Sequence, residues 1–561
     1  MSSRPSGNPS KVCWKVRLFS LEPLAQSALL IIIFFVPLII MRGKSASYDE
    51  VAHLPAGFSY LTTGLVKLNP QHPPLIKEIS ALPLLFLRPA KLVDRRKLES
   101  QTLETNFEWN YGRRFLFDQD ADRLLFWGRI PVVFLSLGLA ILVMLWAREL
   151  WGRRAGLLAL FLYAFDPTIT AHAQFVTTDV GCAFFATLFL FVLRRFLQHR
   201  DAKWLILSGI TLGLALGAKF SAALLVPLTM VFLVAGHRQS KRLREPALGE
   251  PTAAGIGIGN WDEGSVKQRF LVAAMTIILM MATAAIVLWV IYIFPKDPFF
   301  YLKGLNVVNQ DHHPDFPYYL MGRLKPGGWR SYFVIAWLIK TPLPSLVLWL
   351  LSLLLFLRGE RAFWLEEIFL TVPALAFLVG YSLKADNIGV RYLIPCLPFF
   401  IIFTTRIVSA AGKVALRIPL ALLLGWYLLE FFAISPDHLS YFNQIAGGYR
   451  HGPEWLDDSN VDWGQSLIEL RDYLQSHKLA DYALLYFGSG EPEYYGIPRR
   501  NLTDEVPLSP APGTTLILSG HYLARLRAVT RHEGSNDTRG LWPYNAVLKA
   551  VVGHAYYVYQ F

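Results

Sequence analysis

Residues 48–85 read YDEVAHLPAGFSYLTTGLVKLNPQHPPLIKEISALPLL, and this stretch decides how the rest of the 561-residue chain is read. It follows a hydrophobic span at about 24–41 and opens on the adjacent acids Asp49 and Glu50. Gly64 and the Asn69-Pro70 turn then lead through His72-Pro73-Pro74 to a new helix carrying Lys77. Two acids beside a membrane helix are costly to desolvate and unnecessary for insertion, so they point to a task at the interface. The same residues also suit a plain helix start near Val51, with Ser47, Asp49 and Glu50 capping the chain and meeting the helix dipole.

Composition settles the class. The chain is 53% hydrophobic and 17% charged, with a mean hydropathy of +0.36, where a soluble domain carries about 25% charged residues. Aromatic residues make up 14%, as expected where rings belt the bilayer edges. This is a multi-span membrane protein. Its net charge of +13 falls in short loops between apolar spans, which is the positive-inside pattern and gives no reason to expect a nucleic-acid partner. Cys13, Cys182 and Cys396 lie far apart and make neither a disulfide framework nor a zinc spacing.

Eleven crossings are expected, at about 20 residues each. The first, about 24–41, is read as uncleaved behind a basic tail at 1–17. Others follow at about 123–147 and 154–171, and a fourth is opened by Thr177-Thr178-Asp179 and closed by Arg194-Arg195. The block 204–235 is too long for one crossing and divides at Lys219-Phe220-Ser221. The remaining spans fall at about 269–294, 331–357, 363–383, 391–408 and 416–434. An odd count puts the termini on opposite sides. The basic clusters at 148–154, 194–203, 238–244, 358–361 and 406–417 then share the cytoplasmic face with the N-terminus. The same topology places Asp49-Glu50, Asp179, Lys219, the external loops 42–122 and 295–330, the 384–391 turn and the tail on the outer face, and the loop 237–268 inside. The expected fold is thus an all-α polytopic domain over 1–434 with a small extracytoplasmic α/β domain over 435–561. In that tail Tyr482–Phe487, Thr514–Leu518 and His554–Phe561 read as strands and Gln465–Ser476 as a helix.

On this topology acids and cations converge where spans end: Asp49-Glu50 and Asp179 with Lys77, Lys219 and Arg391. Such a set suits transfer of a group from a lipid phosphate. A carboxylate takes the proton of an acceptor hydroxyl, while cations or a metal meet the charge of the leaving phosphate. Each residue also has a plain structural reading. Asp179 can start its helix, Lys77 and Lys219 can snorkel to headgroups, and Arg391 before Tyr392 can anchor the interface. His312-His313 with Asp311 and Asp315 could bind a metal or be ordinary loop polarity.

The block Asp49-Glu50, His53, Gly57, Tyr60, Gly64 and Asn69-Pro-Gln-His-Pro-Pro-Leu75-Ile-Lys77 resembles the first external loop of the protein O-mannosyltransferase-like enzymes of glycosyltransferase family 39, in particular their bacterial members. Thr177-Thr178-Asp179 resembles their second acidic position. Gly217-Ala-Lys219-Phe220, Gly389-Val-Arg391-Tyr392-Leu-Ile-Pro395 and the tail blocks Ser440-Tyr441-Phe442-Asn443 and Asp458-Ser459-Asn460-Val461-Asp462-Trp463-Gly464-Gln465 are similar to family segments too. The resemblance implies the GT-C architecture, a polyprenyl-phosphate-linked sugar as donor and transfer with inversion. It implies Asp49 as catalytic base with Glu50 beside it, and Asp179 as the second acid. Lys77, Lys219 and Arg391 then become ligands of the donor phosphate. His53, His72, Tyr392, Asp462 and Trp463 are candidate contacts to acceptor or sugar, and Asp49 with Asp179 a tentative site for a divalent ion such as Mg or Mn. The chain departs from the eukaryotic mannosyltransferases in lacking their inserted β-trefoil loop, since 295–330 is too short for one. The acceptor, whether lipid, glycan or protein, stays open. A bacterial inner membrane is the expected location. The rival reading, a transporter or flippase for a lipid-linked or small solute, expects repeats, broken helices and charge near the bilayer midplane.

Overall fold

The computed structural model describes residues 21–91, 95–100, 107–237, 266–311, 315–358, 364–410, 417–504, 511–532 and 546–561. Among the described residues seven helices are long and apolar enough to cross a membrane by length and composition, and eight if a bent pair is one span. The pair is Tyr332–Lys340 and Leu343–Arg358, which meet at 112°. Pro342 and Pro344 explain the break, because proline removes a backbone donor and clashes with the preceding turn. The other expected crossings are also helical, but shorter. They are Arg153–Ala164 with Pro167–His172, then Ala202–Ala218 and Phe220–Leu233. The division of the 204–235 block falls at Lys219, where the backbone turns extended between two helical segments. The loop 237–268 lies almost wholly outside the described residues, as do His312, His313 and Cys13. Cys182 and Cys396 are free and buried.

Among the described residues the first external loop holds the packed helices Glu50–Thr63, Leu75–Leu87 and Phe107–Phe117, with a short helix Arg95–Ser100 between the last two. Gly64 ends the first in the left-handed region at φ 73°, where glycine carries no Cβ penalty. Gly57 lets the first two helices touch, since a Cβ there would stand 2.0 Å from the Lys77 carbonyl oxygen.

Among the described residues the tail holds a four-stranded sheet, the helices Leu467–Ser476 and Gly520–His532, and a single helical turn at Gly452–Trp455. A hairpin in the loop at 295–330 supplies β1 (Pro317–Leu320) and β2 (Arg323–Pro326). The larger sheet is built from β3 (Ala483–Leu485), β4 (Thr515–Ser519), β5 (Val547–Val552) and β6 (Tyr556–Gln560), in the order β3-β4-β6-β5. Only β3 and β4 run parallel. Alternation along the strands builds two cores. Leu516, Leu518, Tyr557 and Tyr559 face Leu523 of the helix Gly520–His532. Leu484, Ile517, Tyr556 and Val558 face Leu467, Leu470 and Leu474 of the helix Leu467–Ser476.

Between the last span and this sheet, residues 435–466 run as a strap of short turns against the ends of the membrane helices. Ser45 N donates to the Gln465 carbonyl at 3.0 Å and Tyr48 N to the Trp463 carbonyl at 2.8 Å. Lys340, at the bend of the broken pair, donates to the Leu439 and Asn460 carbonyls at 2.7 Å each. Lys44 bridges Asp437 and Glu469, and His554 joins Asp437. The strap therefore fixes the tail to the end of the first span and to the broken pair through buried polar contacts, and Leu439, Phe442, Leu456, Val461 and Trp463 add apolar burial against the membrane helices.

Candidate functional site

Asp49 stands at the N-cap of the helix Glu50–Thr63 but makes no side-chain cap bond. Its carboxylate turns instead to Arg391, which sits in the first turn of the 3-10 segment Val390–Cys396. The capping reading fails for Asp49. Arg391 is 9% exposed and is no interface anchor. Its guanidinium lies 4.4 Å from the Trp463 ring centroid and 5.6 Å from that of Tyr392. Its Nε has no hydrogen-bond partner among the described residues.

The second acid forms a matching pair. Asp179 lies in the first turn of Thr178–His199 and accepts from Lys219 Nζ at 2.5 Å. The extended backbone at Lys219 aims that side chain inward rather than out to headgroups. The Lys219 ammonium is also 4.5 Å from the Tyr392 ring centroid. Tyr392 thus stands beside both cations, an arrangement favoured by the ring quadrupole. Arg391 interacts electrostatically with Asp49, Asp179 and Asp458, which places both pairs in one site. At the far ends of the same helices, Arg194, Arg195 and Arg406 pair with Glu149, Glu366 and Glu367.

His53 and His72 form one wall, their rings edge to face at 5.1 Å. His53 Nδ1 lies 3.1 Å from the Val176 carbonyl, so that nitrogen carries the proton and donates. Burial pushes His53 down to about 4 and His72 well below its ordinary value, so both rings are neutral at physiological pH.

Glu50 does not face this site. It is fully buried and held by Arg129 Nε at 2.8 Å and Nη2 at 2.7 Å, by Ser47 N and Oγ, and by Val176 N. Its oxygens are occupied by donors, so it shapes the site from behind. Lys77 differs from expectation in the same way. Its ammonium donates to the Asn69 carbonyl at 2.6 Å, Asn69 Oδ1 at 3.1 Å and the His72 carbonyl at 2.8 Å. That use ties the Asn69–His72 turn and leaves no donor for a phosphate. Trp463 is 1% exposed and forms the floor under Arg391. Asp462 turns away, its Oδ1 accepting from Gly464 N at 3.0 Å.

Among the described residues, no group of three or more His, Cys, Asp or Glu side chains is placed to hold a metal ion. The donor set does not suit one either, because Asp49 and Asp179 are each neutralised by their own cation. No step below runs through a metal.

Sequence reasoning missed Arg129, although a charge inside a span is a signal in itself. It placed Asp458 in the tail block but not among the site residues, although it is the one acid of that block that interacts electrostatically with both Arg391 and Asp49. Asp457 pairs with Arg525 at 2.8 Å and Asn460 holds Val390 N at 2.9 Å, so most of that block is a clamp. Burial pushes Asp457, Asp458 and Asp462 up to about 7, 6 and 7, against the pull of Arg525, Arg391 and the Gly464 N–H respectively. A carboxyl whose folded pKa is raised adds stability that is fully present below the ordinary carboxylate range and is lost as pH climbs through the raised value. Residues 455–466 are therefore expected to be better protected at pH 5 than at pH 8 in hydrogen exchange corrected for intrinsic rates. Asp457→Asn and Asp462→Asn should flatten that difference. Equal protection at both pH values would refute the assignment.

Residues 122–253 match the family model described as dolichyl-phosphate-mannose-protein mannosyltransferase, a stretch that holds Asp179 and Lys219. The match bears out the family read from the motifs, and with it the class of glycosyltransferase. No curated protein sequence matches the chain. Among solved structures the chain is similar to ArnT from Cupriavidus metallidurans bound to undecaprenyl phosphate, at 13% identity and a TM-score of 0.46, covering 96% of this chain and 97% of that one. It is also similar to the oligosaccharyltransferase AglB from Archaeoglobus fulgidus in complex with an inhibitory peptide and a dolichol-phosphate, at 12% identity and a TM-score of 0.41, covering 86% and 64%. A further likeness is to the S. cerevisiae protein O-mannosyltransferase Pmt1-Pmt2 complex bound to the sugar donor, at 17% identity and a TM-score of 0.31, covering 48% and 33%.

Proposed function

We propose that this integral membrane protein is an inverting glycosyltransferase that moves a sugar from a polyprenyl-phosphate donor to an acceptor hydroxyl on the outer face of a bacterial inner membrane. The donor class is supported by the description of the family model matched over residues 122–253, which names a dolichyl-phosphate sugar. The observation that carries the reading is the quartet Asp49–Arg391 and Asp179–Lys219, with Asp49 half-buried and the other three buried, and with Arg391 Nε unpartnered among the described residues. Two cations and a base at a span end suit a substrate whose tail is in lipid and whose phosphate is at the interface.

The donor phosphate docks on Lys219 and Arg391 and draws Arg391 from Asp49. Asp49, freed as a carboxylate, accepts the acceptor hydroxyl's proton as that oxygen bonds to the anomeric carbon. The bond from that carbon to the phosphate oxygen breaks on the opposite face, which inverts the centre. The polyprenyl phosphate leaves with the electron pair, and its added charge is met by the two cations. Asp179 holds Lys219, Tyr392 stands beside both cations, and neutral His53 and His72 wall the sugar. Glu50 and Lys77 are positioning residues here. The outward orientation is supported by the arginine cluster at the opposite helix ends.

The test is label transfer by the full chain in vesicles supplied with radiolabelled polyprenyl-phosphate sugars. Label passing from the lipid to a new covalent partner supports the transferase. Label crossing the bilayer still attached to its lipid would replace it with the flippase reading.

A further inference from the structure

Between the helices Pro167–His172 and Thr178–His199 the chain makes a bend, His-Ala-Gln-Phe-Val-Thr, over residues 172–177. Its backbone is held firmly. Val176 N donates to Glu50 Oε1 at 2.9 Å, the Val176 carbonyl accepts from His53, and Thr177 N donates to the Phe175 carbonyl at 2.9 Å. Phe175 and Val176 are fully buried. The polar side chains are the opposite case. His172 Nδ1, Gln174 Oε1 and Thr177 Oγ1 are all buried and without a hydrogen-bond partner among the described residues. Thr177 is the plainest instance, since it stands at an N-cap, where its hydroxyl would ordinarily bond the helix, and makes no such bond. Native folds rarely leave buried polar atoms unpaired, and three on one six-residue bend need a reason.

Position supplies one. His172 is 5.7 Å from the Trp463 ring, which carries Arg391, and interacts electrostatically with Asp179, Arg391 and Lys219. Thr177 lies two residues before Asp179. His172 and Thr177, at the two ends of the bend, therefore lie beside the place where the donor phosphate docks, with Gln174 between them in sequence, and the sugar is bonded directly to that phosphate. Chemistry narrows the ligand further. A phosphate oxygen only accepts hydrogen bonds and cannot satisfy the Gln174 carbonyl oxygen. A sugar hydroxyl both donates and accepts, so it suits that amide in either orientation, as well as the Thr177 hydroxyl and the imidazole. Resting on the transferase reading above, we propose that the buried bend His172–Thr177 is the inner wall that meets the hydroxyl groups of the transferred sugar once the donor is bound, with Gln174 and Thr177 setting which sugar is accepted.

The experiment compares the full chain with Gln174→Met and Thr177→Val, which keep shape and lose the polar atoms. Thr177→Ser keeps the hydroxyl and serves as the control for folding. Two readouts are taken: kcat/KM for a preferred polyprenyl-phosphate sugar against its deoxy-sugar analogues, and inhibition by sugar-free undecaprenyl phosphate. The expected result is a fall in kcat/KM for the preferred donor of about 10- to 100-fold. Discrimination against one deoxy analogue should be lost, inhibition by undecaprenyl phosphate unchanged, and Thr177→Ser near wild type. Variants that discriminate among donors as wild type does would overturn the proposal, the orphaned atoms then holding structural water only. Equal loss of affinity for the sugar-free lipid would overturn it too. If wild type transfers no label and undecaprenyl phosphate does not compete, the transferase reading itself fails, and the proposal with it.

Discussion

Asp49→Asn is expected to slow sugar transfer by about 10²- to 10⁴-fold, the usual contribution of a positioned general base. The change is nearly isosteric, and the amide oxygen can still accept from Arg391. What is lost is the charge, and with it the ability to take the acceptor's proton. No neighbour can fill the role. Glu50 is one residue away, but its oxygens face Arg129, Ser47 and Val176 behind the site. Asp179 is held by Lys219. The loss should appear in kcat, with the donor KM changed little, because Arg391 and Lys219 remain to bind the phosphate and Arg391 no longer has a carboxylate to leave. Asp179→Asn should behave differently, loosening Lys219 and raising the donor KM. The measurement is single-turnover release of label from the lipid at saturating donor, with expression and melting behaviour matched to wild type. Transfer at more than a tenth of the wild-type rate would remove Asp49 from the chemistry and leave it as a charge partner of Arg391.

Much of the architecture could be read from the sequence because it depends on local pattern. Apolar runs announce the spans, and the division at Lys219 follows from length alone. The strands around Tyr482, Thr514 and His554 show their alternation within a few residues. The helix Gly520–His532 stayed hidden because its apolar face, with Leu523, Ala524 and Ala528, is interleaved with His521, Arg525 and Arg527, which serve the strap and its neighbours. Strand β5, VLKAVV, carries a lysine and lies at a sheet edge, so its pattern is weak. The site was legible as a set of residues but not as a set of roles. Asp49, Asp179, Lys219 and Arg391 were named from their placement at span ends, and the structure gathers them. Glu50 and Lys77 sit in the same motif with the same chemistry. Only long-range partners reveal that one is consumed by Arg129, 79 residues away in sequence, and the other by carbonyls of its own turn.

That arginine carries the largest expected effect on stability. Arg129 is 1% exposed and donates to both Glu50 oxygens and to the carbonyls of Met41, Lys44 and Ser45. It thereby joins the end of the first span, the start of the Asp49 helix and the second long span, Ala121–Trp151. Through Glu50 it also fixes Val176, and so the bend before Asp179. Removing one member of a buried pair strands the other charge away from water, at a cost of about 3–5 kcal/mol. Arg129→Met is therefore expected to destabilise by about that amount, since it leaves the Glu50 carboxylate without its counter-charge, held only by Ser47 and Val176, and three carbonyls without the guanidinium donor. Glu50→Gln should cost less, about 1.5–3 kcal/mol, because the carbonyls still meet the guanidinium and the amide keeps one acceptor. The double variant Glu50→Gln, Arg129→Met should be less damaged than the two single effects added together, as partners in one network require. Thermal melting in a fixed detergent tests the order, and hydrogen exchange at 41–50 and 172–178 tests the route. Protection should fall in both segments together in Arg129→Met. An Arg129→Met protein that melts with wild type would show that the spans and the helix start hold each other by packing alone, and the quartet would then need another explanation for its fixed geometry.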